Sequence, residues 1–198
     1  MKVHCFHLFA IFAGERHIHE RVGFGGYMQE PMLRLNGVNE NLHIRVETSL
    51  RGADSPEKVL QALVGLFPEF SAPDEILKPQ LGSASNTELS NEGVSLETFL
   101  KKLHEQRILD TALDSMSLLL ENNQTKFRLS RQAAIVGKVA FPLPNEEPLG
   151  GVITVTLNGE HLSDWLVAAT WHKGRDVIPR SIADESAMDS DGDAVTWI

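Results

Sequence analysis

SLETFLKKLHEQRILDTALDSMSLLLENNQTKFRLSRQAAIVGKVAF, running from Ser95 to Phe141, predicts one long amphipathic helix followed by a pair of strands. Leu96, Phe99, Leu100, Leu103, Ile108, Ala112, Leu113, Met116 and Leu120 recur at roughly helical spacing and draw an apolar stripe that must be buried. Ser95 is placed at the N-cap, and Glu97 and Glu105 in the early turns suit the helix dipole. Glu121-Asn122-Asn123 breaks the helix. Lys126-Phe127-Arg128-Leu129-Ser130 then alternates polar with apolar, the two-residue period of a half-buried strand. Ile135 to Phe141 follows with no helix-length gap, so it is expected to lie beside that strand. From Thr125 to Phe141 the only charged side chains are Lys126, Arg128, Arg131 and Lys138, all positive. In a chain of formal net charge −9 this local excess marks the candidate functional surface.

Upstream, Leu42 to Thr48 alternates and predicts a first strand with Leu42, Ile44 and Val46 facing the core. Ser55-Pro56-Glu57 is a helix start, since proline at the first helical position forfeits no hydrogen bond. Val59, Leu60, Leu63, Val64 and Phe67 are expected to form its buried face, and Pro68 to end it. Glu75 to Lys78 suggests a short strand, and the Ser, Asn and Gly of Gly82 to Gly93 suggest a long loop. Downstream, Pro142, Pro144 and Pro148 make a connection that Gly150-Gly151 releases into Val152 to Leu157, the most β-prone run in the chain. Asn158-Gly159 turns it, and His161 to Ala169 packs a short segment carrying Trp165. With 198 residues and 42% hydrophobic composition, the chain can bury one ordinary core. The expected organisation is a disordered leader or mis-called start over 1–41, a single α+β domain over 42–174 and an acidic mobile tail over 175–198.

The acidic balance argues against a uniformly basic nucleic-acid coat, so any RNA contact must come from a local patch. Cys5 is the single cysteine, which excludes an intrachain disulfide and a cysteine zinc site and makes a reducing cytoplasm the natural compartment. No run reaches the roughly 18 to 20 apolar residues of a membrane-spanning helix. His4, His7, His17 and His19 lack a convergent third ligand. Gly23, Gly25 and Gly26 have no strand before them and no helix after them, and Asp189 to Asp193 is too compressed for a calcium loop. No nucleophile triad, carboxylate pair or metal cluster emerges. The expectation is a protein that is not an enzyme and that uses no cofactor or metal.

Four blocks in order carry a family likeness: Gln106-Arg107-Ile108-Leu109-Asp110-Thr111-Ala112; Phe127-x-Leu129 leading into Gln132-Ala133-Ala134 and Gly137; Pro148-Leu149-Gly150; and Asp164-Trp165-Leu166-Val167. Together, over about Leu42 to Gly174, the chain resembles the archaeal uncharacterised protein family (UPF) 0201. The resemblance implies a ribosomal-protein-L-five-like fold, a curved and mainly antiparallel sheet with helices packed on one face. It also implies RNA binding, with no catalytic residues assigned. The chain departs from the family in having Leu113-Asp114 where a further basic residue is expected, and Ala168-Ala169 where Ala-Pro is usual.

Lys126 and Arg128 should share one strand face, with Lys138 and Arg131 beside them as candidate phosphate contacts. Lys101, Lys102 and Arg107 on the preceding helix either extend that patch or belong to another side. The blander account of the strand cations is that they are solvated residues deterring edge-to-edge pairing. Asp110 and Thr111 are expected to make a polar contact that fixes the helix against the sheet, with a functional pair as the other reading. Phe127 and Phe141 are the only aromatics nearby, and no base-stacking pair is evident. The leading expectation is a non-catalytic RNA-binding protein acting on ribosomal or transfer RNA; the alternative is a protein-interaction or scaffold module forming a homodimer or a heteromeric contact.

Overall fold

The computed structural model describes residues 35–52, 54–73, 87–143 and 146–182. In β1 (Leu42–Leu50), Ile44, Val46, Thr48 and Leu50 are buried while His43, Arg45, Glu47 and Ser49 point the other way, the signature of a strand with one dry face. β4 (Val152–Gly159) pairs antiparallel with it, Val155 opposite Val46 and Leu157 opposite Ile44. β3 (Gln124–Ser130) pairs with the far edge of β4, Phe127 opposite Val155. β2 (Thr87–Glu92) pairs with the other edge of β1, Leu89 opposite Thr48. The result is a four-stranded antiparallel sheet of order β2-β1-β4-β3.

Five α-helices accompany it among the described residues: α1 (Pro56–Leu66), α2 (Glu97–Gln106), α3 (Leu109–Ser117), α4 (Arg131–Ile135) and α5 (Leu162–Ala169), with a 3₁₀ turn at Lys173–Asp176. Their buried side chains merge with those of the inner sheet face into one core. Phe67, Phe99 and Phe127 stack in series, ring centroids 6.0 and 5.9 Å apart, and so link the end of α1, then α2, to the sheet. Phe141 tilts onto Phe127 at 6.3 Å. The helices thus all lie on one face of an α+β fold. The opposite face carries no helix among the described residues; at its β3 edge Leu143 and Glu147 meet Arg128.

The structure departs from the expected elements in several places. The long helix is two, because the step from Leu103 to Ile108 is five residues and throws the apolar stripe out of helical phase. Arg107 absorbs the phase change in the left-handed conformation, φ 58°, and Ile108 N–H donates to the Leu103 carbonyl at 3.2 Å. Leu96, not Ser95, is the N-cap of α2, although Ser95 Oγ still accepts the Glu97 N–H at 3.2 Å. The strand expected over Ile135 to Phe141 is absent. Ser130 Oγ instead accepts the Ala133 N–H at 3.4 Å and caps α4, which Gly137 ends at φ 71°, and the neighbour of β3 is β4. Val64 turns to solvent, leaving Val59, Ala62, Leu63 and Leu66 as the buried face of α1. Residues 87–92, expected in a loop, form β2. Their polarity reflects an edge strand with one solvated face, a pattern that composition does not separate from a loop. The strand expected at Glu75 to Lys78 lies outside the described residues.

Packing also reaches past 42–174. Glu40 accepts the N–H groups of Asn36 at 3.0 Å and Gly37 at 3.1 Å and the Trp165 indole N–H at 2.6 Å, while Leu96 N–H donates to the Asn36 carbonyl. At the other end Arg175 is buried and Ile182 packs on the core. The remainder of the expected leader, with its histidines and glycines, and the acidic tail from residue 183 lie outside the described residues. Among the described residues no helix is long and apolar enough to cross a membrane.

Candidate functional site

Strand alternation assembles the outer sheet face side chain by side chain. β2 contributes Glu88, Ser90 and Glu92; β1 contributes His43, Arg45, Glu47 and Ser49; β4 contributes Thr154, Thr156 and Asn158; β3 contributes Gln124, Lys126 and Arg128. Arg45 meets Glu47 and Glu88 at 3.1 Å each and Glu92 at 3.8 Å. Lys126 reaches across β4 to Glu47 at 3.3 Å. An ion-pair ladder therefore crosses all four strands. Glu47 is foremost among the groups that hold the Arg45 guanidinium above its ordinary pKa.

The expected phosphate patch is not one surface. Arg128 pairs with Glu147 at 3.7 Å and donates to the Leu143 carbonyl at 2.7 Å. Arg131 is buried, its guanidinium donating to the Gly150 carbonyl, to the Ser49 carbonyl at 3.0 Å and to Asp54 at 2.9 Å. It braces the β1 and β4 ends and is removed from the set of solvent-facing cations. Lys138 is exposed on the segment after α4, beside Lys102, whose ammonium donates to the Gly137 carbonyl at 3.1 Å. Lys101 and Arg107 are exposed on and just after α2. The seven cations thus divide into two on the sheet, one in the interior and four on the helix side.

Arg45, Glu47, Glu88 and Glu92 were not singled out from the sequence. The alternation of β1 already places Arg45 and Glu47 on its outer face, but Glu88 and Glu92 become visible only once 87–92 is known to be a strand. Among the described residues no group of three His, Cys, Asp or Glu side chains converges as a metal site would require.

With this geometry the relatives can be placed. No family model matches the chain. A UPF0201 protein of Sulfurisphaera tokodaii is 36% identical over 132 residues, covering 64% of this chain and 88% of that protein. The chain belongs to the archaeal UPF0201 family. A UPF0201 protein of Metallosphaera sedula is 33% identical over 130 residues, again 64% of this chain and 88% of the relative. A crystal structure of a UPF0201 protein matches with TM-score 0.50 at 28% identity, covering 63% of this chain and 89% of that one.

In this UPF0201 chain a second polar cluster sits on the helix side, around Asp110 and Asp114 of α3. Four residues apart, the two aspartates share one helix face. Asp110 accepts from Arg175 Nε at 2.9 Å and from His172 Nε2 at 3.1 Å, and Asp114 pairs with Arg180. Gly174 N–H donates to His172 Nδ1 at 3.2 Å, which assigns the ring proton to Nε2. Both ring nitrogens are therefore engaged, and the cluster latches the segment after α5 onto α3. The polar contact expected of Asp110 is thus made to the segment after α5 and not to the sheet. Burial pushes its carboxyl up, but hydrogen bonds from Arg175 and His172 outweigh that and hold it below the ordinary carboxylate value. Burial, then the nearby His172, holds the His104 imidazole below its ordinary value of 6.5. The unfolded chain therefore takes up the His104 proton first, so stability present above pH 6.5 falls as the pH drops below it, while the Asp110 contribution is lost only below 3.8. The melting temperature should decline on acidification below neutrality, and His104→Gln should flatten the upper part of that decline. An unchanged profile in the variant would remove His104 as the cause.

Proposed function

We propose that this chain is a non-catalytic interaction module that docks a protein on the open face of its sheet. The ion-pair ladder carries the reading. Lys126 and Arg128 face carboxylates, and the strands of the outer face bear three cations and three carboxylates: Arg45, Lys126 and Arg128 against Glu47, Glu88 and Glu92. A phosphate backbone is held by cations whose charge is uncompensated, whereas a face of alternating charge and threonine hydroxyls is matched by another protein surface. The face also has no aromatic platform for bases, because Phe127 points inward between Phe99 and Phe141. An L-five-like assignment of the α+β fold belongs to the same proposal, supported by helices on one face and an open antiparallel sheet on the other.

A photoreactive side chain substituted for Thr154, at the centre of the face, tests the reading in extract of the native cells. Protease-sensitive, ribonuclease-resistant adducts are expected there and not from the same group at Val64 on α1. Ribonuclease-sensitive adducts, or none, would overturn it. Lys126→Ala with Arg128→Ala should meanwhile leave the unfolding free energy within about 1 kcal/mol, since exposed pairs contribute little. A larger loss by denaturant titration would make the ladder structural.

RNA binding is the second reading, and one observation favours it. Lys101, Lys138 and Arg107 make no ion pair among the described residues, and Lys102 adjoins Lys138 through the Gly137 carbonyl. A role on ribosomal or transfer RNA would use this helix-side set in place of the sheet. Lys102→Ala with Lys138→Ala should then weaken RNA binding and reduce its salt dependence, with no effect expected if the set is only solvated surface.

A further inference from the structure

We infer that the partner on the open face is a second copy of this chain, related by a two-fold axis parallel to the strands; this rests on the protein-docking reading above. The face is polarised across its width. Glu88 and Glu92 stand on β2 at one edge, and Lys126 and Arg128 on β3 at the other. Register puts Glu92, Arg45, Thr156 and Lys126 in one row, and Ser90, Glu47, Thr154 and Arg128 in the next. Within one chain Glu92 and Lys126 are three strand spacings apart, about 14 Å, too far to pair.

Two such faces can meet in two simple isologous ways. An axis perpendicular to the strands lays β3 on β3 and β2 on β2, like charge on like charge. An axis along the strands, passing between β1 and β4, preserves height along the strand and exchanges the edges. Lys126 of one copy then lies over Glu92 of the other, and Arg128 lies between Glu88 and Glu92. Thr154 and Thr156 lie over Glu47 and Arg45, where their hydroxyls can accept and donate. Every contact occurs twice. Glu88 and Glu92 remain 60% and 77% exposed despite Arg45, and Lys126 remains 55% exposed despite Glu47, so these ions keep hydrogen-bonding capacity for a partner. Four strands at about 4.8 Å spacing and about seven residues at 3.4 Å give a footprint of roughly 450 Å², which is the small, exchanging end of protein interfaces. The dimer should dissociate on dilution and on addition of salt.

Sedimentation equilibrium of the full chain and two exposed single variants tests the pairing, with circular dichroism to confirm that each folds. Wild type at low salt should be measurably dimeric by about 200 µM, as an interface of this size allows. Lys126→Glu and Glu92→Lys should each weaken self-association about tenfold or more, because each sets like charges opposite one another twice. Mixed one to one, the two variants should associate with each other at least as tightly as wild type, since the reversed charges then face each other. A monomeric wild type overturns the second copy as occupant, and the adducts at Thr154 then report separately whether any protein docks there. A wild-type dimer that neither substitution weakens uses another surface and equally overturns the inference.

Discussion

Phe99→Ala is expected to lower the unfolding free energy by about 3–5 kcal/mol, the range for removing a fully buried aromatic ring without collapse of its site. At about 2–4 °C per kcal/mol for a chain of this size, the melting temperature should fall by roughly 10 °C. The size of the effect follows from position. Phe99 is 0% exposed and stacks against Phe67 on one side and Phe127 on the other, so its removal opens a gap between the end of α1, α2 and the sheet at once. Chemical denaturation followed by circular dichroism measures it. A loss below about 1 kcal/mol would mean that these three elements do not share one core.

Arg131→Met should cost a similar amount, about 3–5 kcal/mol, for a different reason. The Arg131 side chain is 4% exposed and its partner Asp54 is 17% exposed, so the substitution strands a carboxylate and two backbone carbonyls, those of Ser49 and Gly150. Gly150 and Gly151, both at positive φ, let the chain pass against Arg131 and Gln132; a Cβ on Gly151 would run into the guanidinium. This residue and Lys126 were grouped together by charge alone. The same denaturation experiment separates them, because Lys126→Ala is expected to move stability by no more than about 1 kcal/mol. Equal small losses for both would return Arg131 to the surface.

Most of the sheet is legible in the chain because period-two alternation survives at Leu42–Leu50, Gln124–Ser130 and Val152–Gly159. The apolar spacing around Phe99 and Leu113 likewise identifies helix, although not the kink at Arg107. What alternation cannot supply is pairing. Nothing local in Ile135 to Phe141 reveals that Ser130 will cap a helix, or that the partner of β3 is β4, some twenty residues further on. β2 is hidden for the opposite reason: an edge strand with a solvated face has the composition of a loop. The candidate surface suffered most from this, since four cations adjacent in sequence became two on the sheet, one in the interior and one beside α2. Their carboxylate partners, Glu47 on β1, Asp54 just after it and Glu147 in the Pro148 connection, are all distant in sequence. Asp110 was singled out as a polar contact, but its partner Arg175, like Arg180 on Asp114, lies in a stretch whose polarity suggests a tail.

On the proposed reading, the cations of the open face are neutralised by carboxylates and do not hold phosphates. Binding to total cellular RNA, measured against salt concentration for wild type and for Lys126→Ala with Arg128→Ala, tests it most directly. Each phosphate contact removed should reduce the log-log slope by roughly 0.7 to 0.9. The ladder predicts the same affinity and the same slope for both proteins; a slope lower by one or two such steps in the double variant, with its fold intact, would contradict it.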